Sequence, residues 1–121
     1  MITKKIEFSL PYPPSINNYY GRWGKKVYVK EHVKSYRQLV LYTVKPKISV
    51  IYGDKIVRID LNIYPPDHRW RDIDNLFKCI FDVIQMLGII NNDKQIRQGY
   101  FNMNPPIKGG KVDILMEPLA P

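Results

Sequence analysis

Residues 57–88 read VRIDLNIYPPDHRWRDIDNLFKCIFDVIQMLG, and a change of period inside this stretch decides the architecture. Val57, Ile59, Leu61 and Ile63 alternate with Arg58, Asp60 and Asn62, the period of a strand with one face buried. Pro65 and Pro66 stop it, because proline gives a ladder no donor. From about Asp72 to Leu87 the period becomes helical. Ile73, Leu76, Phe77, Ile80, Ile84 and Leu87 share one face, and Asp74, Lys78, Asp82 and Gln85 share the other. Gly88 marks the C-terminal end of this helix.

Working outward towards the N-terminus, Ile6, Phe8 and Leu10 alternate with polar neighbours as a further strand. The segment PYPPSINNYYG is too rich in proline and asparagine for regular structure and reads as an ordered surface loop. Lys25 to Val29 reads as a short strand after a turn at Gly24. From Lys30 to Lys45, Val33, Tyr36, Leu39, Val40 and Val44 recur at helical spacing until Pro46. Ile48 to Tyr52 then leads to a turn at Gly53 and Asp54. On the C-terminal side, after a turn at Asn91 and Asn92, come strands Gln95–Met103 and Lys111–Met116, which Gly109 and Gly110 are expected to join as a hairpin. With no internal repeat or low-complexity linker, the expectation is one α+β domain over residues 1–121. Its two helices pack on one face of a small mixed sheet.

A length of 121 residues leaves room for one core, and 45% hydrophobic residues is the composition of a folded chain. Nineteen Lys and Arg against eleven Asp and Glu leave a net charge of +8, which attracts a polyanion. No apolar run approaches the roughly 20 residues that cross a bilayer, and no cationic amphipathic stretch stands apart, so nucleic acid is the favoured partner rather than a membrane. The opening MITKKIEFSL lacks the apolar region of a secretory leader, and a single Cys excludes both an intramolecular disulfide and a cysteine-rich zinc site. An intracellular protein is expected.

The chemistry concentrates between His68 and Asn75. Asp72 and Asp74 stand two residues apart where a proline turn hands over to a helix. Carboxylate oxygens are hard ligands, and magnesium takes one or two of them together with waters and substrate phosphate. Phosphodiester hydrolysis uses such an ion to generate hydroxide and to neutralise developing charge. Asp93, in the turn after the helix, is a third carboxylate that spacing alone does not bring to the other two. Helix capping and the helix dipole favour the same aspartates without any metal, and an Asn-Asn-Asp turn is ordinary. Lys78, one turn after Asp74 and one before Asp82, fits either solvated ion pairs or a role beside phosphate.

Arg69 and Arg71 flank Trp70, a pattern that suits gripping phosphate with an aromatic against sugar or base, and equally suits a solvated turn. Tyr12, Tyr19, Tyr20, Asn17 and Asn18 offer base or backbone contacts from the first loop, or simply pack it onto the core. Lys25, Lys26, Lys108 and Lys111 lie near turns within reach of a DNA backbone, where each taken alone also reads as a solvated charge. Cys79 reads as a small core residue, while His32 and His68 are too isolated in sequence to be ligands, with His68 near enough to Asp72 to touch phosphate.

The block Arg69-Trp70-Arg71-Asp72-Ile73-Asp74-Asn75-Leu76-x-Lys78, followed by Asp82 and Asn92-Asp93, resembles the RusA family of Holliday-junction resolvases. Pro13-Pro14-Ser15-Ile16-Asn17 and Tyr20 match that family's opening loop, and Lys108-Gly109-Gly110 its closing basic turn. The resemblance runs over nearly the whole chain. It implies that Asp72, Asp74 and Asp93 are catalytic and hold magnesium, or manganese in its place, and that Lys78 is catalytic. It also implies a homodimer that nicks opposed strands of a four-way DNA junction during recombination and repair, with Arg69, Arg71, Asn17, Lys108 and Lys111 on the DNA and no small-molecule cofactor. The location expected on that basis is the cytoplasm of a bacterium, chromosomal or phage-encoded, with the nucleoid. The chain departs from the family pattern in two places. His68 and Trp70 stand where a denser arginine tract precedes the first aspartate, and Asn92-Asp93 replaces two adjacent acids, which points to Asp93 as the carboxylate that acts. A non-catalytic nucleic-acid-binding module, or a metal-dependent nuclease for other branched or single-stranded DNA, are the competing readings.

Overall fold

The alternating stretch becomes a central strand. In the computed structural model, which describes residues 4–14, 20–24, 26–29 and 31–120, strand β1 (Ile6–Pro11) leads to a hairpin of β2 (Tyr20–Trp23) and β3 (Lys26–Val29) and then to helix α1 (Glu31–Thr43). Strand β4 (Val57–Tyr64), helix α2 (Ile73–Met86), β5 (Ile96–Met103) and β6 (Lys111–Pro118) complete the fold. The main sheet has the order β1-β6-β4-β5, antiparallel except for the parallel pair β4–β5.

Register explains the core. Ile59, Leu61 and Ile63 of β4 face the same side as Met116, Ile114 and Val112 of β6, and Leu10 of β1 lies opposite Val112. All of these are buried, together with Val33, Tyr36 and Val40 of α1 and Leu76, Cys79, Ile80, Val83 and Ile84 of α2. Both helices therefore cover one sheet face, as expected, and each aliphatic side chain so buried contributes about 1.5–3 kcal/mol. Tyr36 and Tyr52 enter this core by donating their hydroxyls to the carbonyls of Pro11 and Lys4. Burial pushes the Cys79 thiol up to about 12, which keeps it neutral and inert. The small-core-residue reading of Cys79 holds.

The expected hairpin of the last two strands does not form. Strand β4 lies between β5 and β6, and residues 104–110 carry the chain over its end. That connection is tied down by Asn104 N–H to the Ile63 carbonyl and Ile107 N–H to that of Pro65. Gly109 and Gly110 turn the chain without pairing its flanks, because β5 is fixed as the parallel neighbour of β4 by the α2 crossover. Three smaller corrections follow. Tyr20 and Gly21, read as loop, belong to β2; the first helix spans Glu31–Thr43 rather than Lys30–Lys45; and Leu39, counted as core, is 45% exposed. Ile73 and Phe77 of α2 are also incompletely covered, Phe77 lying edge-on to Phe101 of the open edge strand β5.

Candidate active site

The crossover positions the carboxylates. Strand β4 delivers the chain through the proline turn to the start of α2, so Asp72 and Asp74 sit at the C-terminal end of a parallel strand. Sites of open α/β sheets gather at such ends. Asp72 is the N-cap, its Oδ1 accepting the Asp74 N–H at 2.9 Å, while its Oδ2 lies 3.5 Å from the Asn75 side-chain amide. Capping and ligation do not compete here, because a carboxylate has lone pairs beyond the one that caps. Both aspartates are exposed, as is Lys78 one turn further along the helix. Asp82, a second turn on, is engaged by Arg37 of α1 at 2.8 Å, so this side of α2 leaves solvent and meets the other helix as it proceeds.

Asp93 lies elsewhere. It opens the 3-10 turn Asp93–Gln95, which follows α2 and feeds the start of β5 beside the start of β4. A helix of 14 residues separates it from Asp72, roughly 20 Å at 1.5 Å per residue. Among the described residues no three His, Cys, Asp or Glu side chains converge on one point. The turn is nonetheless well fixed. Asn92 caps it in a capping box with Gln95, whose buried amide accepts the Asn91 and Asn92 N–H groups at 2.8 Å and donates to the carbonyls of Gly53 and Lys55. Asp93 is thus held and exposed, at the opposite end of the helix from its supposed partners.

The loop before Asp72 is organised by Asp67, a residue the sequence reading passed over. Its carboxylate accepts the Arg69 backbone N–H at 3.0 Å and pairs with the guanidinium groups of Arg69 (3.1 Å) and Arg71 (2.7 Å). The Arg69 hydrogen bonds, then Arg71, hold this carboxyl well below the usual range. An Asp bonding the N–H two residues on, directly after two prolines, is a turn signal that was available in the sequence. Arg71 turns inward. Its side chain is only 11% exposed, bonds the carbonyls of Asp67 and Arg69, and lies over the Tyr12 ring at 5.6 Å. Tyr12 in turn packs against Gly110, where an added Cβ would come within 3.0 Å of the tyrosine and 2.9 Å of the Tyr64 carbonyl.

Of the cations assigned to DNA, Arg69 is 77% exposed, Lys108 is exposed on the 104–110 connection, and Lys111 pairs with Asp113 at 3.1 Å while lying over the Tyr64 ring. Ile107 N–H bonds the Pro65 carbonyl, so the connection bearing Lys108 joins the same end of the sheet as the arginine loop. Asn17, Asn18, Tyr19 and Lys25 lie outside the described residues, and Tyr20 and Lys26 fall on β2 and β3. His32 and His68 are exposed at separate places, on α1 and in the arginine loop.

Comparison with known proteins identifies the family. The family model described as endodeoxyribonuclease RusA matches residues 11–114. A crossover junction endodeoxyribonuclease of Enterobacteria phage HK97 is 30% identical over 110 residues, covering 91% of this chain and 92% of the relative. The protein of the same description from Escherichia coli K12 is 32% identical over 106 residues, 88% of each chain, and that of Enterobacteria phage 82 is 31% identical over the same share. The matched region contains the arginine loop, α2 and the Asp93 turn together, and the chain belongs to the RusA family of endodeoxyribonucleases.

Proposed function

We propose that this protein is a magnesium-dependent endodeoxyribonuclease that resolves four-way DNA junctions by paired nicks, acting as a homodimer. The observation that carries this reading is the exposed pair Asp72 and Asp74, held at a helix start beside a cationic loop in a RusA-family chain. Relatives named crossover junction endodeoxyribonucleases supply the substrate class. Two hard carboxylates at one helix end fit magnesium, with manganese as its substitute. The ion, when bound, supplies charge neutralisation at the phosphate and acidifies water. Asp72 and Asp74 hold it, Lys78 presents its ammonium to the non-bridging oxygens, and Arg69 and Lys108 contact phosphates on either side.

Separation of Asp93 from Asp72 gives the dimer a chemical purpose. Strand β5 is an edge strand whose stretch Gln98–Met103 carries no charge and no proline, with Tyr100, Phe101 and Met103 exposed. Beside it Phe77 and Phe81 of α2 line a groove of about 180 Å³ together with Ile59, Leu61 and Phe101. For a chain of net charge +8, an uncharged apolar edge is where a second copy can approach without repulsion. A strand pairs with its own copy across a twofold axis only in the antiparallel sense. That pairing sets the start of each β5 against the end of its partner's β5, bringing each Asp93 to the end of the sheet where the partner carries its own Asp72 and Asp74.

Mixing inactive variants tests both parts. Asp74→Asn and Asp93→Asn should each abolish cleavage of a labelled four-way junction in magnesium while preserving binding. Refolded together, they form mixed dimers with one intact site, so nicking should return to about a quarter of the wild-type rate, as single rather than paired nicks. No recovery would place each site within one chain. A wild-type protein that binds junctions in magnesium without cutting them would instead be a binding module.

A further inference from the structure

Trp70 is fully exposed, the least covered of the large apolar side chains in the described residues. Tryptophan is ordinarily among the more buried residues, so a fully exposed indole leaves both ring faces open to a ligand. The backbone around it is anything but slack. Arg71 bonds the carbonyls of both Asp67 and Arg69, Arg69 N–H bonds the Asp67 carboxylate, and both guanidinium groups close on that same carboxylate. Every polar clamp in the loop thus grips the residues on either side of Trp70 and none covers its ring. The loop holds the indole out in water in advance of any ligand, so little ordering remains to be done on binding.

Its position defines what it meets. The N-cap Asp72 lies two positions after Trp70, a reach of at most about 7 Å between their Cα atoms. The adjacent Arg69 is exposed and cationic, suited to the phosphate backbone. An aromatic plane beside a phosphate-binding cation is the pairing by which proteins stack on unpaired or unstacked bases. We infer that Trp70 stacks on a base left uncovered at the branch point, next to the phosphate that is cut. It thereby selects branched DNA over continuous duplex, in which each base is already stacked on both faces. The inference rests on the junction-cleaving function proposed above and adds to it the residue that reads the branch.

Binding in the absence of divalent metal isolates this step from cleavage. The chain's two tryptophans are Trp23 and Trp70, so a Trp23→Phe background leaves one reporter. In that background, Trp70→Ala should bind a four-way junction on the order of tenfold more weakly, with affinity for a linear duplex of the same sequence changed less than about twofold. Trp70→Phe should keep most of the junction affinity. A 2-aminopurine placed at the branch point should be quenched by the protein with Trp70 and not by Trp70→Ala. Unchanged melting temperatures are expected for the Trp70 variants, since the indole is fully exposed. Equal losses on junction and duplex, or no loss on either, overturn the inference, as does a Trp70→Ala protein that falls apart in sedimentation while each form keeps its DNA affinity. If the wild-type protein itself prefers no branched substrate, the proposed function fails first and this inference with it. If it prefers junctions and Trp70→Ala keeps that preference, only the role of Trp70 falls.

Discussion

The two edges of the main sheet are built in opposite ways. Strand β1 presents Glu7 and Ser9 to solvent and ends in proline, and the hydroxyls of Tyr52 and Tyr36 take the carbonyls of Lys4, just before the strand, and of Pro11, its last residue. These are the devices by which an edge refuses another strand. Strand β5 has none of them from Gln98 to Met103, and it exposes Tyr100, Phe101 and Met103 beside the half-covered Phe77 and Phe81 of α2. One edge is closed by its own chain, and the other has the composition of a core with its second half elsewhere. The open edge is where the proposed twofold axis runs, and an axis there accounts for two halves of the candidate site at opposite ends of α2.

A charge placed on the open edge should have the largest effect. Phe101→Glu would bury a carboxylate without a partner in the proposed interface, at a cost of about 3 kcal/mol or more. The protein should sediment as a folded monomer and lose on the order of a hundredfold in junction cleavage at concentrations where the wild type is dimeric. Glu7→Lys on β1 should change neither quantity; if it is the variant that dissociates, the edges have been assigned the wrong way round. Backbone fit gives the next effect. At Gly99, with φ of 155°, an added Cβ would lie 1.8 Å from the Ile59 carbonyl oxygen, so β5 would have to leave its place. Gly99→Ala should destabilise the fold by about 3 kcal/mol in urea titration, against about 1 kcal/mol for Ser9→Ala on β1, which gives up the bond from Ser9 to Asp113.

Lys78 sharpens the contrast between assembly and chemistry. Lys78→Ala and Lys78→Arg should fold, dimerise and bind junctions, yet cleave on the order of a hundredfold more slowly in single-turnover measurements. Wild-type cleavage by both would return Lys78 to a purely structural role on its helix. The smallest effect concerns the arginine loop. The hydrogen bonds from Arg69, and then Arg71, depress the Asp67 carboxyl, so its contribution to loop order is fully present above about pH 4, the unfolded carboxyl's range, and is lost only as pH falls through the lower folded value. In a Trp23→Phe background, Trp70 anisotropy should hold steady from pH 7 down to about 4 and decline below it. A decline already at pH 6 would mean that Asp67 does not hold the loop.

Periodicity was enough for β4, α2 and the inner residues of β1 and β6, because a strand or helix with one buried face writes its period into neighbouring positions. Leu39, Ile73 and Phe77 escaped it, being apolar residues at the right spacing that face outward or towards an uncovered flank. The expected β5–β6 hairpin failed for a related reason. A Gly-Gly turn specifies a reversal of direction but not which strand lies alongside, and pairing with β4 was decided by the α2 crossover. Asp67 was legible as a turn former, whereas its grip on two arginines depended on the loop closing on itself.

The α+β class, the cationic balance, the family, and the carboxylates and lysine proposed for the chemistry were all legible in the sequence. Those are properties of residue type and local spacing, which survive without knowledge of what lies across the molecule. Tertiary structure alone decided that Arg71 turns inward, that Trp70 stands clear of the protein, and that Asp93 and Asp72 occupy opposite ends of a helix. Each of these is a relation between residues brought together or held apart by packing, and a 14-residue helix between two parallel strands imposes a separation of roughly 20 Å that no local pattern records.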